Sequence, residues 1–266
     1  MHIAVKRLKA NENLYFGMFL VFPALIQLVQ LKFFTASCIV FVGYSYLVTS
    51  EHFPRVKYVA FIAIASLVHT SSVIFLLLLL VKTKKYDRKL FVLITVGLTF
   101  SIVVLLNPIV KLVSLYLDPR LVARYLTNSI TPSSLLWIAL IFVVWLASYL
   151  ISTYLLSNKN FRYTIGNRDK CLNRIADYCG MSIEVLLLTL PFLLLDRNFH
   201  RFLELGYSVL FVIMGMYIAP PRYSKTKLTL VLVMSVVLVV ITLIYSPYQT
   251  VLKPLLSFEG FVNLGR

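Results

Sequence analysis

Acidic residues are scarce in this chain: 10 Asp and Glu face 26 Lys and Arg among 266 residues, and charged side chains make up only 14% of the whole. A soluble domain carries roughly 25% charged residues, so there is too little charge to clothe a water-facing surface of this size. Cysteine is nearly absent as well. Cys38, Cys171 and Cys179 are an odd number, and the spacing of the last two fits no common metal motif, which argues against a disulfide framework and a zinc centre. No Gly-, Ser- or Pro-rich linker, low-complexity tract or long-period repeat divides the chain, so residues 1–266 read as a single transmembrane domain. There is also no P-loop, Gly-rich nucleotide turn, Ser-His-Asp order or His-x-x-x-x-Asp acyltransferase signature, which weakens the corresponding enzyme classes.

What the chain does have is apolar length. Hydrophobic residues reach 60%, and the mean hydropathy is +0.88. Crossing about 30 Å of hydrocarbon takes roughly 20 mostly apolar residues per helix, and such runs fall at 14–31, 33–49, 58–81, 90–117, 135–156, 181–195, 205–219 and 228–245. The expected fold is all-α, a polytopic transmembrane helical bundle of about eight spans. Asn107-Pro108 predicts a kink or break in the fourth run, because proline removes a backbone donor and crowds the preceding turn. The basic start MHIAVKR is followed by no small-residue cleavage site and reads as retained.

The net charge of +16 would suggest nucleic acid in a soluble protein. Here the basic residues lie in short loops between apolar runs, which fits topology-setting and anionic-lipid contacts and gives no nucleic-acid partner. With the N-terminus outside, the inner loops hold 14 basic residues against 12 elsewhere. That choice puts the dense loop Lys82 to Lys89 in the cytoplasm and the segments around Arg124 and Arg197 outside.

Few residues could carry chemistry in such a bundle. His69, in FIAIASLVHTSSVIF, is a titratable group near the middle of the third run. It is either a neutral hydrogen-bond partner for a neighbouring helix or a base able to take a hydroxyl proton near neutral pH. Lys32 is a turn residue snorkelling to the interface or a substrate contact. Arg124 and Tyr125 in DPRLVARYL, and Arg197, His200 and Arg201 in DRNFHRF, offer bidentate donors suited to pyrophosphate. Headgroup binding and Arg–Asp pairing explain them equally well. Glu184 and Glu204 are acids close to or within apolar runs, where burial favours the neutral form that suits an acid or base; an ion pair with Arg is the alternative.

LKFFTA, PRVK and ASLVHTSS, with Ala36, Ala65, His69 and Ser71 in step, resemble the EpsG family, the Wzy-like polymerases of bacterial capsule and exopolysaccharide. Lys32 and Phe33 stand where family members carry Arg-Gln. ARYL resembles the family's tyrosine-bearing outer loop, DRNFHRFLELGYSVL its arginine-led seventh-span entry, and Ser246 to Gln249 its Pro-Tyr close. Members are usually longer at the N-terminus, and this chain resembles them from their middle onward.

The resemblance implies a glycosyltransferase of the bacterial plasma (inner) membrane, multi-pass, joining polyprenyl-pyrophosphate-linked oligosaccharide repeats with no cofactor or metal. It implies His69 and Glu204 as catalytic, and Lys32, Arg124, Tyr125, Arg197, His200 and Arg201 as substrate-binding. Membrane lipids and other polysaccharide-assembly proteins are the expected partners. A glycolipid transporter or flippase, or a truncated non-catalytic member of the family, has the same composition.

Overall fold

The structure is a computed structural model that describes residues 1–21, 31–50, 52–82, 93, 94, 97, 101, 115, 132–189, 201–217, 229 and 233. Among the described residues there is helix and no strand. The α-helices are α1 (His2–Arg7), α2 (Glu12–Val21), α3 (Leu31–Thr49), α4 (Pro54–Val68), α5 (Pro132–Ser157), α6 (Lys159–Arg168), α7 (Lys170–Leu186) and α8 (Arg201–Tyr217), with a 3₁₀ helix over Thr70–Lys82. The fourth and eighth apolar runs, 90–117 and 228–245, lie outside the described residues apart from isolated positions. The chain divides into two compact units, Met1–Val73 with Phe211–Arg266, and Ile74–Leu210.

The first unit is built on an antiparallel pair. Phe33 meets His69 at one end, and Tyr46 stacks on Phe61 with ring centroids 5.5 Å apart further along, so α3 and α4 run in opposite directions. The turn between them is tight. Pro54 opens α4 with a φ already suited to a helix, and Phe53 before it takes the left-handed conformation, φ 49 and ψ 46. Gly43 lets the two backbones approach, since a Cβ there would lie 2.5 Å from Phe61 Cβ. Phe33, Ala36, Val40, Tyr44, Tyr58 and Ala65 are buried in this unit. α1 packs on α3.

The run 58–81 is helical on both sides of a break. α4 stops at Val68, His69 is extended with φ −150 and ψ 109, and the chain resumes as a 13-residue 3₁₀ helix. Such 3₁₀ runs rarely exceed four residues. The local cause is in the sequence Val-His-Thr-Ser-Ser, because short hydroxyl side chains offer the backbone and its neighbours bonds that compete with the α ladder.

In the second unit, the charged stretch 157–180 between two apolar runs is largely α6 and α7. Asp169 separates them and caps α7 by accepting from the Cys171 N–H at 2.9 Å. Buried Leu172, Ile175, Ala176, Cys179 and Ile183 give α7 one apolar stripe, and Arg174 faces out. α5 shows the reverse arrangement. Trp145, Ser148, Ser152 and Leu155 are buried, whereas Phe142, Val143, Leu146, Leu150 and Tyr154 are exposed.

One helix among the described residues, Leu31–Thr49, is long and apolar enough to cross a membrane by length and composition.

Candidate functional site

His69 occupies the break, and its surroundings follow from that. Ser71 Oγ lies 2.6 Å from His69 Nδ1, a bond that the two-residue spacing makes possible only because the intervening backbone is not α-helical. The His69 N–H donates to the Ala65 carbonyl at 2.9 Å, closing α4, and its own carbonyl accepts from the Ser72 N–H, opening the 3₁₀ helix. Phe33 stands edge-on to the imidazole, 5.3 Å between centroids at 82°. Ser72 Oγ is buried with no hydrogen-bond partner among the described residues. The Ser71 hydroxyl and the Phe33 ring are thus among the groups that hold the imidazole, which is half-buried.

Phe33 also fixes the level of the site. It is the third residue of α3, so His69 lies at the end of the α3–α4 pair and not at its midpoint. The sequence placed His69 mid-span because it treated 58–81 as one rod. Lys32, next to Phe33, is exposed at the same end of the pair. The structure thus gathers Lys32, Phe33, His69 and Ser71 at one helix end.

Glu204 and Arg201 belong to α8, three residues apart and hence on one face. Glu204 is buried, 2% exposed, and both carboxylate oxygens are shielded from solvent. One turn on, Tyr207 meets Trp145 of α5 in an edge contact, 6.2 Å at 72°. Gly206 makes that contact possible, for a Cβ there would collide with the Trp145 ring. Trp145 Nε1 is buried without a hydrogen-bond partner among the described residues. Phe202 stands edge-on to Phe75. Arg124, Tyr125, Arg197 and His200 lie outside the described residues.

A further polar feature escaped the sequence reading apart from Glu184. A cavity of about 370 Å³ opens between α5, α6 and α7, lined by Thr153, Ser157, Arg162, Asp177, Met181 and Glu184 among others. Arg162 is tied to Asp177 at 2.7 and 3.4 Å and donates through Nε to the Leu156 carbonyl at 2.6 Å. Thr153 Oγ1 is buried with no partner among the described residues, and Glu184 is 5% exposed. Hydroxyl-bearing ligands could find donors and acceptors here. A pairing 15 residues apart across a helix turn leaves no motif to detect.

The family model described as EpsG family matches residues 1–256. The chain belongs to the EpsG family. No curated protein and no solved structure matches it. The match runs through both compact units, so the EpsG chain's His69 end and its α8 both lie inside the region the family defines.

Proposed function

We propose that this EpsG-family chain is a multi-pass glycosyltransferase of the bacterial plasma membrane that polymerises lipid-linked oligosaccharide repeats. The family match carries the reading, and the helix break at His69 supports it. The break leaves His69 at the end of the α3–α4 pair, level with Lys32, where a polar acceptor at the membrane interface could reach the imidazole. The inverted α5 supports the membrane setting: large apolar side chains face outward and serines face inward, and its 26 uncharged residues give about 39 Å at 1.5 Å per residue. Hydroxyls bonded within their own helices, such as Thr35 to the Leu31 carbonyl and Ser66 to that of Ala63, suit lipid in the same way. About eight spans remains the architecture we assign.

In this reaction an acceptor hydroxyl oxygen attacks the anomeric carbon of the donor glycan. The bond from that carbon to the pyrophosphate oxygen breaks, and polyprenyl pyrophosphate leaves with the electron pair. One direct displacement inverts the anomeric carbon. The acceptor proton passes to a base, His69 or Glu204. For His69 to accept it at Nε2, Nδ1 must carry a hydrogen, and Ser71 Oγ is placed to accept that hydrogen bond. Arg124, Arg197 and Arg201, with Lys32, Tyr125 and His200, hold the pyrophosphate and stabilise the developing charge. No metal or nucleotide enters the scheme, and the partners are the lipid-linked repeat, membrane lipids and other assembly proteins.

One observation favours a rival. A helix interrupted beside a polar residue is also how secondary transporters build substrate sites. Incubating the purified protein with polyprenyl-pyrophosphate-linked repeats separates the two: a polymerase lengthens the glycan and releases polyprenyl pyrophosphate, whereas a flippase changes the leaflet of an unaltered repeat. A non-catalytic member does neither.

A further inference from the structure

The end of the α3–α4 pair remote from His69 is where basic side chains collect. Arg7 of α1 lies over the Tyr46 ring, 3.8 Å from guanidinium carbon to centroid, and donates to Thr49 Oγ1 at 3.1 Å. Lys57 of α4 approaches the same ring, Nζ 5.9 Å from its centroid, and reaches Ser50 Oγ at 3.4 Å. Two cations from different helices thus share one aromatic ring. Among the described residues neither has a carboxylate within ion-pair distance, and Arg7 Nε is buried with no hydrogen-bond partner.

A purely structural account is that cations settle near the carbonyl end of α3, where the helix dipole favours them. That accounts for attraction. It leaves two like charges at one aromatic ring with no carboxylate beside either among the described residues. An oxyanion would balance the two charges, since guanidinium and ammonium donors beside a hydroxyl are what a phosphate takes.

We propose that Arg7, Ser50 and Lys57 bind the phosphate of an anionic phospholipid headgroup, with Tyr46 and Thr49, whose own hydroxyl donates to the Ser45 carbonyl at 2.7 Å, holding the guanidinium in place. Phe53 and Val56, at the same turn, are 76% and 65% exposed, giving acyl chains an apolar surface beside the charge. A free phosphate would gain nothing from these two. The site has a side. Lys6, Arg7, Lys9, Arg55 and Lys57 are placed by α1 and the turn at this end, against Lys32 at the other, so the cluster lies in the cytoplasmic leaflet and the Lys32–His69 end faces outward. This reverses the side that loop counting gave the N-terminus, a count that ran through 58–81 as one unbroken crossing.

The inference rests on the membrane setting proposed above and not on glycosyl transfer. Its test reads lipid binding and labelling, so failure here leaves the polymerase reading standing. The full chain in nanodiscs of mixed phosphatidylglycerol and phosphatidylcholine is released into detergent, and co-purifying lipid is measured by mass spectrometry. Wild type is expected to retain phosphatidylglycerol several-fold over its share of the disc. Arg7→Gln with Lys57→Gln should bring that ratio to the disc composition, and Arg7→Lys with Lys57→Arg should keep most of it. Equal retention of both lipids by wild type, which needs no variant to fold, overturns the proposal. A site saturated by inorganic phosphate in detergent, with no lipid preference, overturns it in favour of a free-anion site. In a cysteine-free background, Ser50→Cys should resist an impermeant thiol reagent in intact cells and Leu31→Cys should react. The opposite pattern overturns the leaflet assignment.

Discussion

His69 carries the sharpest prediction at the scale of single residues. Glutamine can replace its hydrogen bond to Ser71 without titrating, so a packing role predicts normal product from His69→Gln. A base predicts normal amounts of protein in the membrane with polymerisation down by about 10²–10⁴-fold, and quantifying protein and product together decides between them. Ser71→Ala should fall between wild type and that variant, because it removes the acceptor that holds Nδ1–H and leaves the ring in place. Full activity of His69→Gln would move the base to Glu204, whose buried carboxylate is the other candidate. Arg201→Lys keeps the charge but loses the planar fork, so product per protein should drop while expression does not; unchanged product length would remove Arg201 from pyrophosphate binding. The identity of these residues was legible in the sequence, since a His amid apolar neighbours and an acid opening a helix are visible without coordinates. Their company was not. The Ser71 bond depends on the backbone leaving α geometry at His69, and the Phe33 contact on the pairing of α3 with α4.

Helices make predictions of their own. Gly43→Ala places a methyl 2.5 Å from Phe61 Cβ, closer than carbon atoms allow, and should cost about 1–3 kcal/mol through forced separation of α3 and α4. The thermal midpoint of the purified variant measures it, and an unchanged midpoint would mean the pair is looser than this spacing. Leu150→Lys tests what surrounds α5. Leu150 is 56% exposed, so in water the substitution should stay within about 0.5 kcal/mol. In lipid the charge costs up to about 3 kcal/mol at a helix centre, and the amount of inserted protein should fall. Normal insertion of Leu150→Lys would place that face of α5 against protein or water. The runs at 33–49 and 135–156 anticipated α3 and α5 because both are apolar on every side, a signal that needs no partner. α6 and α7 were hidden, since their charges made 157–180 resemble a loop, and only burial of Leu172, Ile175, Cys179 and Ile183 exposes the stripe. The break at His69 was hidden for a different reason. Hydropathy registers apolar length and is blind to a single extended residue.

For the molecule as a whole, composition told of membrane, short motifs told of family, and neither located an active centre. The family match over residues 1–256 gives the motifs a common frame, and the geometry adds a held imidazole at a helix end. The account stands or falls on chain growth. Purified wild-type protein, reconstituted in vesicles with polyprenyl-pyrophosphate-linked repeats as the only substrate, should yield a ladder of glycans differing by one repeat, with one polyprenyl pyrophosphate released per step. Folded protein that leaves every repeat unlengthened, with no polyprenyl pyrophosphate released, would contradict it.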